Sequence, residues 1–376
     1  MRTTGLNKIV VSFALFLLLL MLVTTHAVAA SADLLKAKKG AEAQGYIFFA
    51  THDEIAERAK KEGKIRVMTG LESGTFKQLI NGFKQKYPFI TDIYVEEITV
   101  DAFQRVMLEI KAGQAKGWDI AYIPPEYGKE YIPYLMKSDL LGMAQHGVLR
   151  IDPRMIHPGE RNIVSVTSNI SVVAYNKKLI SEDKVPAKWE DFLKPEFKGK
   201  KFAVQLRPKH VMALVPAWGL ERTLDYARKL AAQQPVWGSA AGRLITAVAA
   251  REYSLNFGPN FAAVKRRIDR DPTGSLNYKI AEPVPTTAVV YQAGAILNTA
   301  DNPHAALLWF EFLASPEGQK IIDKYEGNAS VFTPGSAAEQ VTRGKKLSVV
   351  DWNHFTKVPE WDEKLFEAFG FPKADK

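Results

Sequence analysis

Hydrophobic positions along the chain switch between two periods. From Ile65 a short apolar run, Ile65-Arg66-Val67-Met68, gives way to small and polar residues, Thr69-Gly70-Leu71-Glu72-Ser73-Gly74-Thr75. Phe76, Leu79, Ile80 and Phe83 then recur at i, i+3, i+4 and i+7, the spacing of one helix face. The pattern predicts a buried strand, a loop and an amphipathic helix. A helix N-terminus carries partial positive charge and free N–H groups, so such a loop suits an anion or another hydrogen-bond acceptor. A strand at Ile93 to Ile98 follows, then a helix face at Phe103, Val106, Met107 and Ile110 with Asp101 placed as its N-cap. Trp118-Asp119-Ile120-Ala121-Tyr122-Ile123 is a third strand, stopped by Pro124-Pro125. Strands alternating with helices at this spacing predict βαβ units and a mainly parallel sheet.

Leu140 to Gly159 has no clear period. Ile163 to Tyr175 alternates for more than ten positions, as a long extended crossing does. A second α/β unit begins with the strand Lys201 to Leu206 and the loop Arg207-Pro208-Lys209-His210. Helical patterns follow at Arg222 to Gln233 and Gly238 to Arg251, then the strand Tyr253 to Phe257, broken by Gly258-Pro259. Thr286 to Leu297 is extended again. Asn302-Pro303 and Ser315-Pro316 are two helix starts of one design, a capping side chain with proline at the first helical position.

Two extended segments therefore bracket the middle of the chain. The fold class expected is α/β: two lobes, the second inserted into the first, joined by two crossing hinge strands. The boundaries are 30–63 for a helical N-terminal extension, 64–168 and 287–376 for the two parts of the first lobe, and 169–286 for the second. Clefts between domains hold small ligands, and closure about the hinge is the expected motion.

Residues 1–29 read as a secretory signal peptide. Arg2 and Lys8 precede an apolar stretch from Ile9 to Val23, and Ala27-Val28-Ala29 gives the small-residue cleavage pattern. The chain has no cysteine, so disulfides and an N-terminal lipid-modified cysteine are both excluded. The expectation is a free periplasmic monomer. The formal charge of +9 falls to +7 once Arg2 and Lys8 are removed. The basic run Lys265-Arg266-Arg267 has no interleaved aromatics, which favours a solvated helix face over a nucleic-acid site.

Several stretches together resemble the periplasmic solute-binding proteins of ABC importers, type II fold. They are Val67 to Phe83, the Trp118-Asp119-Ile120 strand, Pro186-Ala187-Lys188-Trp189-Glu190-Asp191-Phe192 with Phe197-Lys198-Gly199-Lys200, and Asn302-Pro303-His304-Ala305-Ala306 through Gln319. The nearest branch contains ferric-iron, thiamine, polyamine and aminoethylphosphonate binders. The resemblance implies a receptor that delivers a small solute to a membrane permease, with neither catalysis nor a cofactor. By position it implies ligand contacts from Ser73, Gly74 and Thr75, from the loop after Ile123, from Arg207, from the strand end near Asn256, and from the return crossing near Thr287. Ferric-iron binders carry adjacent tyrosines where this chain has Asn256-Phe257-Gly258, which puts an iron site of that kind in doubt.

Side-chain chemistry adds detail. Arg207, with Lys209 beside it, could pair with a phosphonate, sulfonate or carboxylate. Glu72, and Glu126 in the loop after Ile123, could meet a cationic amine, which would suit a zwitterion. Tyr122, Tyr127, Tyr131 and Tyr134 cluster around Pro124-Pro125 and fit core or rim packing better than a cleft wall. No two histidines stand at metal-ligand spacing, so no metal site is expected. A secreted hydrolase is the alternative from another class, but the chain has no G-x-S-x-G elbow and no cysteine nucleophile.

Overall fold

The apolar run at Ile65 folds as β1 (Lys64–Thr69), with Ile65 and Val67 buried. It pairs in parallel with β2 (Asp92–Glu97) and β3 (Ile120–Ile123). The structure is a computed structural model that describes residues 31–99, 102–124, 128–207, 209–288 and 292–371. The expected leader, the expected cap Asp101 and the candidate Glu126 lie outside the described residues. Helix α3 (Ser73–Lys86) buries Thr75, Leu79 and Phe83, and α4 (Phe103–Lys111) buries the four residues whose spacing predicted it. Two earlier helices, α1 (Ala32–Ala43) and α2 (His52–Glu62), form the N-terminal extension. The second stops at Gly63, whose φ of 65° is the left-handed ending that glycine accepts without strain.

The first sheet is completed by β4 (Ile163–Ser165) and β11 (Ala293–Ile296), in the order β2-β1-β3-β11-β4. The second sheet holds β5 (Asn169–Asn176), β6 (Phe202–Gln205), β7 (Val236–Gly238), β8 (Leu255–Asn260), β9 (Leu276–Lys279), β10 (Val284–Thr287) and β12 (Leu347–Val350). Its order is β12-β10-β5-β8-β6-β7, with β9 also paired to β5. Helices α5 (Leu220–Ala232), α6 (Ala241–Ala249) and α7 (Phe261–Asp269) belong to this lobe. The crossings between the sheets run from Ser165 to Asn169 and from Thr287 to Ala293, inside the two segments that alternate in the sequence.

The end of the chain departs from the expected division. The pattern assigns all of 287–376 to the first lobe. Helices α8 (Pro303–Ala314) and α9 (Pro316–Tyr325) do pack there, against α2 and α3. Beyond them the chain crosses a third time. Thr167 bridges Ala329, and the Ser168 amide donates to the Asn328 carbonyl at 2.9 Å. β12 then lies parallel to β10, and α10 (Val358–Ala368) packs on α5. Val350, Trp361 and Leu365 are buried on elements packed against the second lobe, while Trp352 and Phe355 turn to His157 of the first, with ring centroids 5.0 and 5.9 Å apart. A local pattern shows that such a face must be buried but not against which sheet.

One helix start is also built differently from the expectation. Asn302 makes no side-chain cap on α8. Its side-chain amide bonds both oxygens of Asp119, at 3.1 and 3.0 Å. The orphan amides of α8 go to the extension instead: His304 and Ala305 donate to the Glu62 carboxylate at 3.2 and 2.7 Å. The His304 ring lies 2.5 Å from the same carboxylate, and His52 at the other end of α2 lies 3.1 Å from buried Glu311 of α8. The extension thus serves as a helix cap for the first lobe.

Candidate functional site

Parallel strands leave a crevice beyond their carboxyl ends, where open α/β sheets bind ligands. In the second lobe that crevice is a cavity of about 200 Å³. Gln205 and Arg207 come from the end of β6, Gly258 and Asn260 from β8, Thr287 from β10, and Asn169 and Ser171 from the start of β5. The short helix Lys209–Met212 contributes Lys209, His210 and Met212. Arg207 is exposed and has neither hydrogen bond nor ion pair among the described residues. Two buried polar atoms of the lining, Nε2 of His210 and Oδ1 of Asn169, likewise have no partner among the described residues. Native proteins rarely leave such atoms unpaired, so they mark a place for water or ligand. Burial drives the His210 imidazole down to about 3, so it is neutral at physiological pH. The cationic groups of the lining are therefore Arg207 and Lys209, and no carboxylate lines the cavity among the described residues.

Gly258 has φ of +70°, and a Cβ there would sit 2.7 Å from the His210 side chain. We expect Gly258→Ala to cost about 1–2 kcal/mol in backbone strain and to push His210 into the cavity. Calorimetry should show a lower Tm together with weaker solute binding. An unchanged Tm would mean that the strand end relaxes freely.

The first-lobe loop is arranged differently from what the sequence suggests. Oε1 of Glu326 accepts from the Glu72 amide and from the Thr75 hydroxyl, both at 2.7 Å, and the Ser73 amide donates to Glu97 at 3.0 Å. Thr75 is buried, so its hydroxyl is used inside the protein, whereas Ser73 and Gly74 are exposed. Glu72 points to Arg266 of α7, 3.6 Å away and in the other lobe. Gln292 of the second crossing donates to the Gly70 carbonyl at 2.8 Å, which ties this loop to the hinge. Burial raises the Glu326 carboxyl above its usual range, against the pull of Thr75 and the Glu72 amide.

Of the residues singled out in the sequence, Arg207 and Thr287 line the cavity. Asn256 does not, because it is buried inside β8 beside Ala203 and Ala174. Its neighbour Phe257 lies in an aromatic core with Trp189, Phe192 and Tyr226. Tyr131 is a core residue, and Tyr122 packs on Phe103 with ring centroids 5.2 Å apart. Asn169, Ser171, Gln205 and Asn260 were missed. Each sits where a strand meets the cleft, a position set by sheet register and not by any motif. Among the described residues no group of three or more histidines, aspartates or glutamates could hold a metal ion.

Two sheets are bridged by three crossings, with a polar cavity at the strand ends of the second. Residues 127–358 match the bacterial extracellular solute-binding proteins. The chain belongs to that family. No curated protein matches this solute-binding protein, but many solved structures share its fold. Apo ferric ion-binding protein A of Pasteurella haemolytica is 16% identical with a TM-score of 0.63, covering 84% of this chain and 100% of that one. A substrate-binding protein of an ABC transporter from Agrobacterium tumefaciens is 19% identical with a TM-score of 0.56, covering 81% and 95%. A GABA receptor structure is 14% identical with a TM-score of 0.62, covering 83% and 99%.

Proposed function

We propose that this solute-binding protein is the receptor of an ABC uptake system, working in the periplasm after removal of its leader as a free monomer. It captures a small polar solute bearing an anionic group and hands it to an inner-membrane permease. The observation that carries this reading is the second-lobe cavity, which presents Arg207, Lys209 and two unpartnered polar atoms and no carboxylate among the described residues. The unpaired Arg207 guanidinium suits a carboxylate or phosphonate, which it can hold with two parallel hydrogen bonds, while Asn169 Oδ1 is an acceptor and suits a donor on the same solute. Membership of a solute-binding family and the likeness to an ABC-transporter substrate-binding protein support the transport role.

A ferric-iron cargo fits the residues less well. Hard ferric iron prefers anionic oxygen donors, and among the described residues the lining offers amides, hydroxyls, one imidazole and two cations. Phe257, at the position of the ferric binders' tyrosines, has no oxygen and faces the core. Adding ferric salt should produce no visible tyrosinate–iron band.

The decisive experiment is a thermal-shift screen of carboxylates, phosphonates, sulfonates and amino acids, followed by calorimetry on the strongest hit. A ligand at a hundred times its Kd stabilises the folded state by about 2.7 kcal/mol. Arg207→Ala should weaken that hit about 10- to 100-fold, the value of a charge-assisted hydrogen bond. Unchanged affinity in that variant sinks the proposed site.

A further inference from the structure

We infer that Glu326 is a specificity-determining residue: its carboxylate is the resident anion of the α3 N-terminus and confines the solute's anionic group to the second lobe. The inference rests on the cleft being the solute site. A strand, a loop and a helix start make a natural anion receptor, and both lobes present strand ends to the cleft. In the first lobe that receptor is occupied from within. Glu326 is 2% exposed, and one of its oxygens takes both the Glu72 amide and the Thr75 hydroxyl. Glu97 takes the Ser73 amide. The Glu326 carbonyl in turn accepts from Arg266 of α7, whose N-cap Asn260 lines the cavity.

The two walls therefore differ in sign. Glu72, Glu97 and Glu326 gather on the first-lobe loop, with Arg266 as the cation reaching them from the other lobe. Arg207 and Lys209 stand in the second-lobe cavity. A dianion bridging the lobes would meet carboxylates on one side. A solute with its anion toward Arg207 and an amine or neutral donor at its far end avoids that repulsion. The solute class this selects is a zwitterion or a monoanion with a polar donor at its far end.

The test uses inorganic phosphate as the probe and counts bound equivalents by equilibrium dialysis on the full mature chain. Wild type should bind one equivalent, lost in Arg207→Ala. Glu326→Ala should bind two, because the Glu72 amide and the Thr75 hydroxyl are then free to donate to phosphate. The second equivalent should survive in the Arg207→Ala/Glu326→Ala double variant and disappear when Thr75→Val is added. If Glu326→Ala loses its fold in phosphate-free buffer, saturable recovery of its circular dichroism with phosphate is the same result in another form. A folded Glu326→Ala protein with no added equivalent overturns the inference, and so does failure of phosphate to restore an unfolded one. Wild-type protein that binds no phosphate counts against the cavity reading alone, since the equivalent gained by Glu326→Ala still decides the role of Glu326.

Discussion

Asp119→Ala is expected to destabilise the protein by about 3–5 kcal/mol, because three buried donors lose their acceptor at once, each costing roughly 1–3 kcal/mol when unpaired. Asp119 is fully buried. It accepts from the Arg66 amide at 2.8 Å, from the Asn302 amide at 2.8 Å and from the Asn302 side chain. One carboxylate, just before β3, therefore joins that strand to β1 and to the start of α8. Burial pushes the carboxyl above its usual range, and the Arg66 and Asn302 donors pull it back. Asp119→Asn keeps one acceptor oxygen but turns a second donor toward Arg66 or Asn302. It should therefore cost about 1–3 kcal/mol, the penalty of one mismatched buried pair. Urea denaturation of the two variants reads both numbers. An Asp119→Ala protein as stable as wild type would show that water enters and replaces the carboxylate.

Stability should also fall on acidification well before ordinary carboxylates titrate, and His210 is the main reason. An unfolded histidine titrates near 6.5, while burial holds folded His210 at about 3. A folded-state value below the unfolded one means that stability is present above pH 6.5 and lost as pH falls toward the folded value. Each pH unit in that window removes up to about 1.4 kcal/mol, a few kcal/mol in all. His157, also lowered by burial, adds to the same limb. Asp271, held at about 2 chiefly by the Leu276 amide with Thr273 and Ser275, acts only below the usual aspartate range. Melting curves of wild type and His210→Gln between pH 7 and about pH 2, the folded-state value of Asp271, separate these groups. The variant should lose most of the slope above pH 4 and keep the steeper loss below it. Parallel curves would show that His210 charges without resistance.

Much of the frame is legible without coordinates, for identifiable reasons. Strand and helix periods are local, so β1, α3 and α4 follow from apolar spacing, and Phe103, Val106, Met107 and Ile110 all face inward as that spacing requires. Alternation over Ile163 to Tyr175 and Thr286 to Leu297 marks the two crossings, and their bracketing of a second α/β unit implies two lobes. Arg207 stands out because a basic residue after a strand end is a local signal, and it lines the cavity.

What the sequence cannot express is which distant group reaches a given atom. Asn302 before Pro303 is a good cap by every local rule, yet Asp119 takes its side chain and Glu62 of the extension caps the helix. The last segment carries an apolar face that either lobe could bury, and only packing against β10 and α5 assigns it to the second. The loop from Gly70 to Thr75 illustrates both sides. Its residues and order are those of an anion receptor, and the helix start that makes it one is present. The anion it holds is the protein's own Glu326, some 250 residues away in sequence, since a hydrogen bond is settled by distance in space and a pattern records only distance along the chain.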